Sequence, residues 1–337
     1  MQVFLSLIYV CLAGVFNGSF ALPTKKIRHW RFENIWLNYA FWAFLIFPWL
    51  FMFIVSPESY AVYHHASTEA ITIMFIGGLL FGIGQVCFAN ALNMIGLGLG
   101  FLINIGLGTG LGFLMPLIVL HPEKIFTTAG LLTLLGTLFI IIGLIYAFFA
   151  GKFRDQKIQK QKEASGHFQL GVLLAIIAGV FSAGQNFTFA ATASMQQDAL
   201  ASGINTFSAA NVIWPGFLLA SFLPYAVYMI ILHIRHQSFV NYKPVHIIRY
   251  TPLAIIMGVF WYFSLMIYSK ASLMIGTLGP VIAWPLFMVM IILSANFWSF
   301  QSGEWREAGK RAYHLKIRGV FCLVLAFIIL AIGVGCH

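Results

Sequence analysis

The chain has 337 residues, of which 61% are hydrophobic and only 8% are charged, and its formal net charge is +10. A soluble globular domain is roughly half apolar and about a quarter charged, so this composition excludes that class. Each crossing of a bilayer takes about 20 apolar residues, and the length therefore fits a helical protein that crosses the membrane many times.

Apolar stretches between charged or proline-marked breaks predict an all-α polytopic membrane protein with ten transmembrane helices. In chain order the helices cover residues 2–22, 35–55, 70–94, 97–120, 128–149, 169–193, 204–232, 250–273, 275–297 and 317–336. The first helix is expected to be retained, because a signal peptide carries its positive charges before the apolar run and here they follow it. The connections after the third and eighth helices are predicted to be very short.

The distribution of Lys and Arg predicts the orientation of the chain. All 19 of these residues except Lys124 and Lys270 lie on the side of the membrane that holds the first connection. Because cytoplasmic loops are enriched in Lys and Arg, both termini are predicted to lie outside the cytoplasm. The positive charge is explained by topology, with attraction to the lipid bilayer as a consequence, and it gives no support to a nucleic-acid partner.

Two sequence similarities predict an internal duplication. Residues 14–20 resemble 179–185, and residues 91–96 resemble 271–276. Since five helices are an odd number, the second copy enters the membrane from the opposite side. The predicted domains are two inverted five-helix repeats, and the substrate site of such transporters lies near the midplane where the repeats meet. They cover residues 1–150 and 169–337 and are joined by a charged cytoplasmic linker at 151–168. The alternative is chance similarity among helices rich in Gly and Ala.

Polar but uncharged side chains at membrane depth are the main candidates for a binding site. The nine acidic residues lie in loops or at helix ends, so no membrane-buried carboxylate is predicted. Amides and hydroxyls suit a small neutral solute such as a sugar, whose hydroxyls both donate and accept, and aromatic rings can stack on it. The candidate substrate-binding residues are Asn17, Gln85, Asn104, Ser182, Gln185, Asn186, Trp261, Tyr262 and Trp284. For each of them the alternative is a structural role between helices or at the membrane interface.

Lys270, near the outer end of the eighth helix, is the only candidate for an intramembrane charge and hence for a coupling residue. The alternative is that its long stem carries the ammonium group to the interface. No catalytic site, metal site or cofactor is predicted, because the four cysteines have no paired spacing and the acidic residues form no metal-binding cluster.

Several stretches resemble the L-rhamnose-proton symporter family within the ten-helix drug/metabolite transporter superfamily. The most specific are 23–30 followed by Glu33 and Trp36, and 304–311; further similarity covers 81–85, 179–184 and 261–268. The resemblance implies inverted five-helix halves and uptake of a deoxysugar with protons across the bacterial inner membrane. An exporter or facilitator of another metabolite, a membrane-embedded enzyme and a structural bundle are the alternatives.

Overall fold

The computed structural model describes residues 2–158, 168–303, 305 and 308–336. This part of the chain is helical without strands, and it has ten helices that are long and apolar enough to cross a membrane. The predicted class and number of transmembrane helices are therefore confirmed. Most of the predicted linker, at 159–167, lies outside the described residues, as do Glu304, Arg306 and Glu307.

The ten spans follow one another with short connections and are numbered here α1 to α10. Their bounds are Gln2–Lys26, Phe32–Val55, Thr68–Gly96, Gly98–Leu120, Thr128–Arg154, Phe168–Ala201, Thr206–His236, Pro244–Ile275, Gly279–Gln301 and Lys310–Val334. The span α6 ends eight residues later than predicted, at Ala201, and α8 and α10 begin six and seven residues earlier, at Pro244 and Lys310. The latter two helices continue through charged and polar residues, which a criterion based on apolar stretches leaves out.

Several spans are interrupted. Two segments of α2, Phe41–Ile46 and Phe51–Val55, are π-helical, a conformation that is rare and often found near functional sites. The seventh span has a short first segment, Thr206–Ala210, and restarts at Trp214. Pro215 lies in the first turn of the second segment, where its missing amide hydrogen costs nothing, and this explains why the helix restarts there.

The two shortest connections are built in the same way. Gly96, between α3 and α4, has φ of 80°, and Gly276, between α8 and α9, has φ of 92°. Residues with a Cβ rarely adopt this left-handed region, so each tight turn depends on its glycine. Both short connections are therefore where the sequence predicts them.

Helix packing joins the first five spans to the last five. α1 packs against α8 and α9, whereas α6 packs against α3 and α4, and α5 packs against α10. Close approach depends on glycines: a Cβ added at Gly14 would lie 2.2 Å from the Cβ of Met290 on α9, and one added at Gly179 would lie 2.7 Å from the Cβ of Leu107 on α4. Small residues at such crossings let helices pack in a bilayer, where no hydrophobic force drives them together.

Candidate functional site

Aromatic side chains form a continuous buried group that reaches helices from both parts of the chain. Trp261 on α8 contacts Phe44 on α2, and a series of ring contacts leads from Phe44 through α3, α7 and α6 to Trp284 on α9. Centroids of neighbouring rings are 4.9 to 6.3 Å apart. This central aromatic cluster comprises Tyr39, Phe44, Phe81, Phe189, Trp214, Phe217, Trp261, Tyr268 and Trp284.

Asn186 on α6 lies beside this cluster and is fully buried. Its amide nitrogen donates to the carbonyl oxygens of Gly112 and Pro280, both at 2.8 Å, and its amide oxygen accepts from the hydroxyl of Tyr268. Both amide hydrogens are therefore used within the protein. In this conformation Asn186 joins α6 to α4, α8 and α9, and a ligand that bonded to its nitrogen would have to displace a backbone carbonyl.

Four further candidates form hydrogen bonds between the two parts of the chain. The indole nitrogen of Trp284 donates to the carbonyl oxygen of Gly108 at 2.9 Å. The hydroxyl of Ser182 on α6 donates to the amide oxygen of Asn104 on α4 at 3.4 Å. The amide nitrogen of Asn17 on α1 donates to the hydroxyl of Ser264 on α8 at 2.8 Å.

Two candidates differ from these because they have polar atoms that are buried without a partner. Within the described part of the chain, the amide nitrogen of Gln185 on α6 and the hydroxyl of Tyr262 on α8 make no hydrogen bond, although both residues are less than a tenth exposed. Leaving such a group unpaired costs about 1 to 3 kcal/mol, and a hydroxyl-bearing ligand would satisfy it. Gln85 is half-buried on α3, four residues after Phe81 and so on the same face of the helix.

The structure thus groups the predicted residues unevenly. Asn104 and Ser182 are in contact, Asn186 and Trp284 share Tyr268 as a neighbour, and Trp261 belongs to the same aromatic cluster. Lys270 is half-buried, and its ammonium group donates to the hydroxyl of Thr206 at the start of α7.

Sequence reasoning missed several members of the central aromatic cluster and the hydrogen-bond partner of Asn17. The prediction leaves out Tyr39, Ser264 and the four Phe residues of the cluster, Phe44, Phe81, Phe189 and Phe217. A chain with 34 Phe residues gives little reason to single out these four. Helical spacing was the available signal: Phe81 and Gln85 are one turn apart, so the face that carries the predicted amide also carries the ring.

One acidic residue at a helix end is buried within the protein, which the prediction of no membrane-buried carboxylate did not address. Glu33 stands at a helix end, in the first turn of α2, as expected, but its side chain is only 3% exposed. Its Oε1 atom lies 3.1 Å from Nδ1 of His236, the last residue of α7. The sequence places Glu33 next to a basic loop, but only the packing of α7 and the following segment removes it from water.

The sequence matches the family model for L-rhamnose-proton symport proteins (RhaT) over residues 1–336. An L-rhamnose-proton symporter of Klebsiella pneumoniae subsp. pneumoniae is 28% identical over 345 aligned positions, which cover 99% of this chain and 98% of the relative. An L-rhamnose-proton symporter of Escherichia coli O1:K1 / APEC is 26% identical with the same coverage. One of Mannheimia succiniciproducens is 22% identical and covers 99% of both chains.

Proposed function

Because the chain belongs to the L-rhamnose-proton symport protein (RhaT) family, we propose that it carries L-rhamnose or a closely similar sugar together with protons. The observation that carries this proposal is that the match extends over essentially the whole chain rather than over a few helices. Family membership and the ten apolar spans also establish the coarser predictions: the chain is a multi-pass transporter of the bacterial inner membrane and not an enzyme.

The proposed architecture is a pair of inverted five-helix repeats, 1–150 and 169–337, with both termini outside the cytoplasm. The packing supports it. The first helix of the first repeat, α1, contacts α8 and α9, and the first helix of the second repeat, α6, contacts α3 and α4, which are the equivalent helices of the other repeat. Gly14 and Gly179, which correspond in the two similar segments, each approach a helix of the other repeat, and Gly96 and Gly276 have the same backbone conformation. This architecture also supports placement in the drug/metabolite transporter superfamily.

The proposed substrate site lies beside the central aromatic cluster, where the repeats meet. In this proposal the sugar stacks on Trp261 or a neighbouring ring, and its hydroxyls bond to Gln185, Tyr262 and Gln85. The other predicted residues act at the same interface through the hydrogen bonds that join the repeats; they are Asn17, Asn104, Ser182, Asn186 and Trp284. Support for this location comes from two buried polar atoms without a partner in the described part of the chain, on Gln185 and Tyr262, whose sequence neighbours Asn186 and Trp261 contact or belong to the aromatic cluster.

Alternating access follows from this arrangement. If the repeats rock around the site, bonds between them must break on one side of the membrane and form on the other. Sugar and proton drive the change only to the extent that they bind the outward and inward states differently. Lys270 stays a candidate coupling residue at the predicted outer side, where it donates to Thr206.

Uptake by the purified protein in proteoliposomes tests the proposed function. With an acidic exterior, labelled L-rhamnose should accumulate inside the vesicles. A gradient of one pH unit is worth about 1.4 kcal/mol per proton, so transport of one proton per sugar can support about tenfold accumulation. A protonophore should abolish the accumulation. Absence of L-rhamnose uptake, together with transport of an amine or nucleoside driven by the gradient, would contradict sugar symport and favour an exporter of another metabolite.

A further inference from the structure

The contact between Glu33 and His236 connects the predicted inner ends of α2 and α7, one from each proposed repeat. The carboxylate is buried, whereas the imidazole is 46% exposed and therefore reaches water. Among the acidic side chains whose surroundings the structure describes, Glu33 is the only buried one; the others, all exposed, are Glu58, Glu69, Glu123 and Asp198. A buried carboxylate is costly unless it is paired, so this contact is expected to depend strongly on protonation.

Polar contacts around the pair also run between α2 and the end of α7. The guanidinium of Arg31 donates to the carbonyl oxygen of His236 at 3.2 Å, and the amide nitrogen of Asn34 donates to that of Ser238 at 3.0 Å. The hydroxyl of Tyr242 donates to the carbonyl oxygen of Asn34, and burial raises the pKa of Tyr242 to about 12, which keeps it a neutral donor. The first turn of α2 is therefore held to the end of α7 and the segment that follows it by several hydrogen bonds, one of which joins Glu33 to His236.

The ionisable groups that interact with Glu33 or His236 lie just before α2, on α7 and in the segment that follows α7. On α7 they include two histidines, of which His233 shares a hydrogen bond with Ser238 at 3.3 Å. Among the described residues these groups are Arg31 before α2, Tyr228, His233 and His236 on α7, and Tyr242 in the following segment. No second carboxylate is among these groups, so Glu33 is the acid of the network.

We propose that Glu33 binds the transported proton and that its ion pair with His236 holds the inner side of the transporter closed. This inference rests on the proposed function and on the proposed orientation. Its basis is the juxtaposition of a buried carboxylate and a water-accessible imidazole across the boundary between the repeats.

The proton balance of the cycle is simple. In the closed inner side the carboxylate is ionised and the imidazole is protonated. A proton taken up from the exterior binds a carboxylate oxygen of Glu33, which leaves a neutral acid beside the imidazolium. The attraction between the two side chains is lost, the inner ends of α2 and α7 separate, and the sugar is released. The acid then gives its proton to cytoplasmic water, and the ionised pair can form again.

Glu33→Gln tests the proposal, because the amide imitates the protonated acid in shape and charge. We expect this variant to lose accumulation driven by a pH gradient, so that the internal and external sugar concentrations become equal. Exchange of external labelled sugar for internal unlabelled sugar without a gradient should persist within about threefold, as it needs no net proton movement. Glu33→Asp, which restores a carboxylate, should regain part of the accumulation.

Glu123→Gln is the matched control. Glu123 also has a histidine nearby, with Nδ1 of His121 at 3.9 Å, but its side chain is 60% exposed and both residues lie in one connection between α4 and α5. This variant should accumulate sugar like the wild type.

His236→Gln provides a second measurement that does not depend on the folding of the Glu33 variants. Removing the neighbouring positive charge makes the carboxylate easier to protonate, so the external pH of half-maximal uptake should move upward. Accumulation by Glu33→Gln at the wild-type level, loss of exchange together with accumulation in a folded Glu33→Gln, or an unchanged pH profile in His236→Gln would each overturn the proposal. Failure of the wild type to transport L-rhamnose would instead contradict the proposed function.

Discussion

At the scale of single residues, the polar groups in the centre of the bundle divide into those that the protein satisfies and those that it leaves unpaired. Asn186 belongs to the first kind and Gln185, its neighbour in sequence, to the second. Two adjacent amides on one helix point in directions about 100° apart, so they meet different helices. Their contributions to stability and to binding should differ accordingly.

Asn186→Ala should lower stability. The substitution leaves the carbonyl oxygen of Gly112 without a donor, because the residue four positions later is Pro116, and it also removes the bond to Pro280. The free energy of unfolding should fall by about 2 kcal/mol. Asn296→Ala is the control, because its amide nitrogen donates only to Ile292 within the same helix, whose carbonyl also serves a backbone bond. Thermal unfolding in detergent measures the stability of the two variants. Equal losses of stability in Asn186→Ala and Asn296→Ala would contradict a bridging role for Asn186.

Gln185→Leu should weaken sugar binding without loss of stability. If the unpaired amide bonds to a sugar hydroxyl, removing it should raise the Kd about tenfold, since a buried hydrogen bond is worth about 1 to 2 kcal/mol. Gln196 on α6 is equally buried and also has an unpaired amide nitrogen, so Gln196→Leu is a matched control that should leave the Kd unchanged. Calorimetric titration with L-rhamnose gives both values, and an unaltered Kd in Gln185→Leu would exclude this residue from the site.

At the scale of secondary-structure elements, glycines decide which helices approach each other closely. α6 carries Gly179, where an added Cβ would meet the Cβ of Leu107 on α4, and Gly184, where an added Cβ would have no neighbour within 4 Å. The same helix therefore contains one glycine that packing requires and one that it does not. Close approach at Gly179 also sets the distance between Ser182 and Asn104 one turn further along.

Gly179→Ala should separate α6 from α4 and lower stability by about 1 to 3 kcal/mol through overpacking. Gly184→Ala should be neutral or raise stability by up to about 1 kcal/mol, because alanine favours a helix more than glycine does. Thermal unfolding of the two variants measures the difference. A stabilised Gly179→Ala would show that the crossing has room for a methyl group.

At the scale of the whole molecule, orientation governs the proposed mechanism, because Glu33 must face the cytoplasm when the inner side opens. Cys336 is exposed at the end of α10 and so reports on the location of the carboxyl terminus. A membrane-impermeant maleimide should label it in intact cells. Ser302 is exposed directly after α9, on the opposite side in the predicted orientation. A Ser302→Cys variant made in a Cys336→Ser background should be labelled only after permeabilisation of the cells. The reverse pattern would contradict the predicted orientation.

Much of this protein follows from one-dimensional patterns. Length, apolar stretches and charge distribution are sufficient to predict the number of spans, and the similarity between residues 91–96 and 271–276 marks the two turns that depend on Gly96 and Gly276. Turn glycines are visible in a sequence because the backbone conformation they permit is a local property. The residues chosen for the site, and the division into inverted repeats, stay predictions.

The sequence by itself determined the membrane class, the ten helices and the family, because each depends on composition or on motifs within a short stretch of chain. The tertiary structure alone decided that Asn186 is satisfied while Gln185 is not, that Trp261 and Trp284 belong to one aromatic cluster, and that Glu33 is buried against His236. Burial and pairing arise from contacts between residues far apart in the chain, such as Glu33 and His236, which are 203 positions apart. Helical periodicity shows which face a side chain occupies but not what lies opposite it.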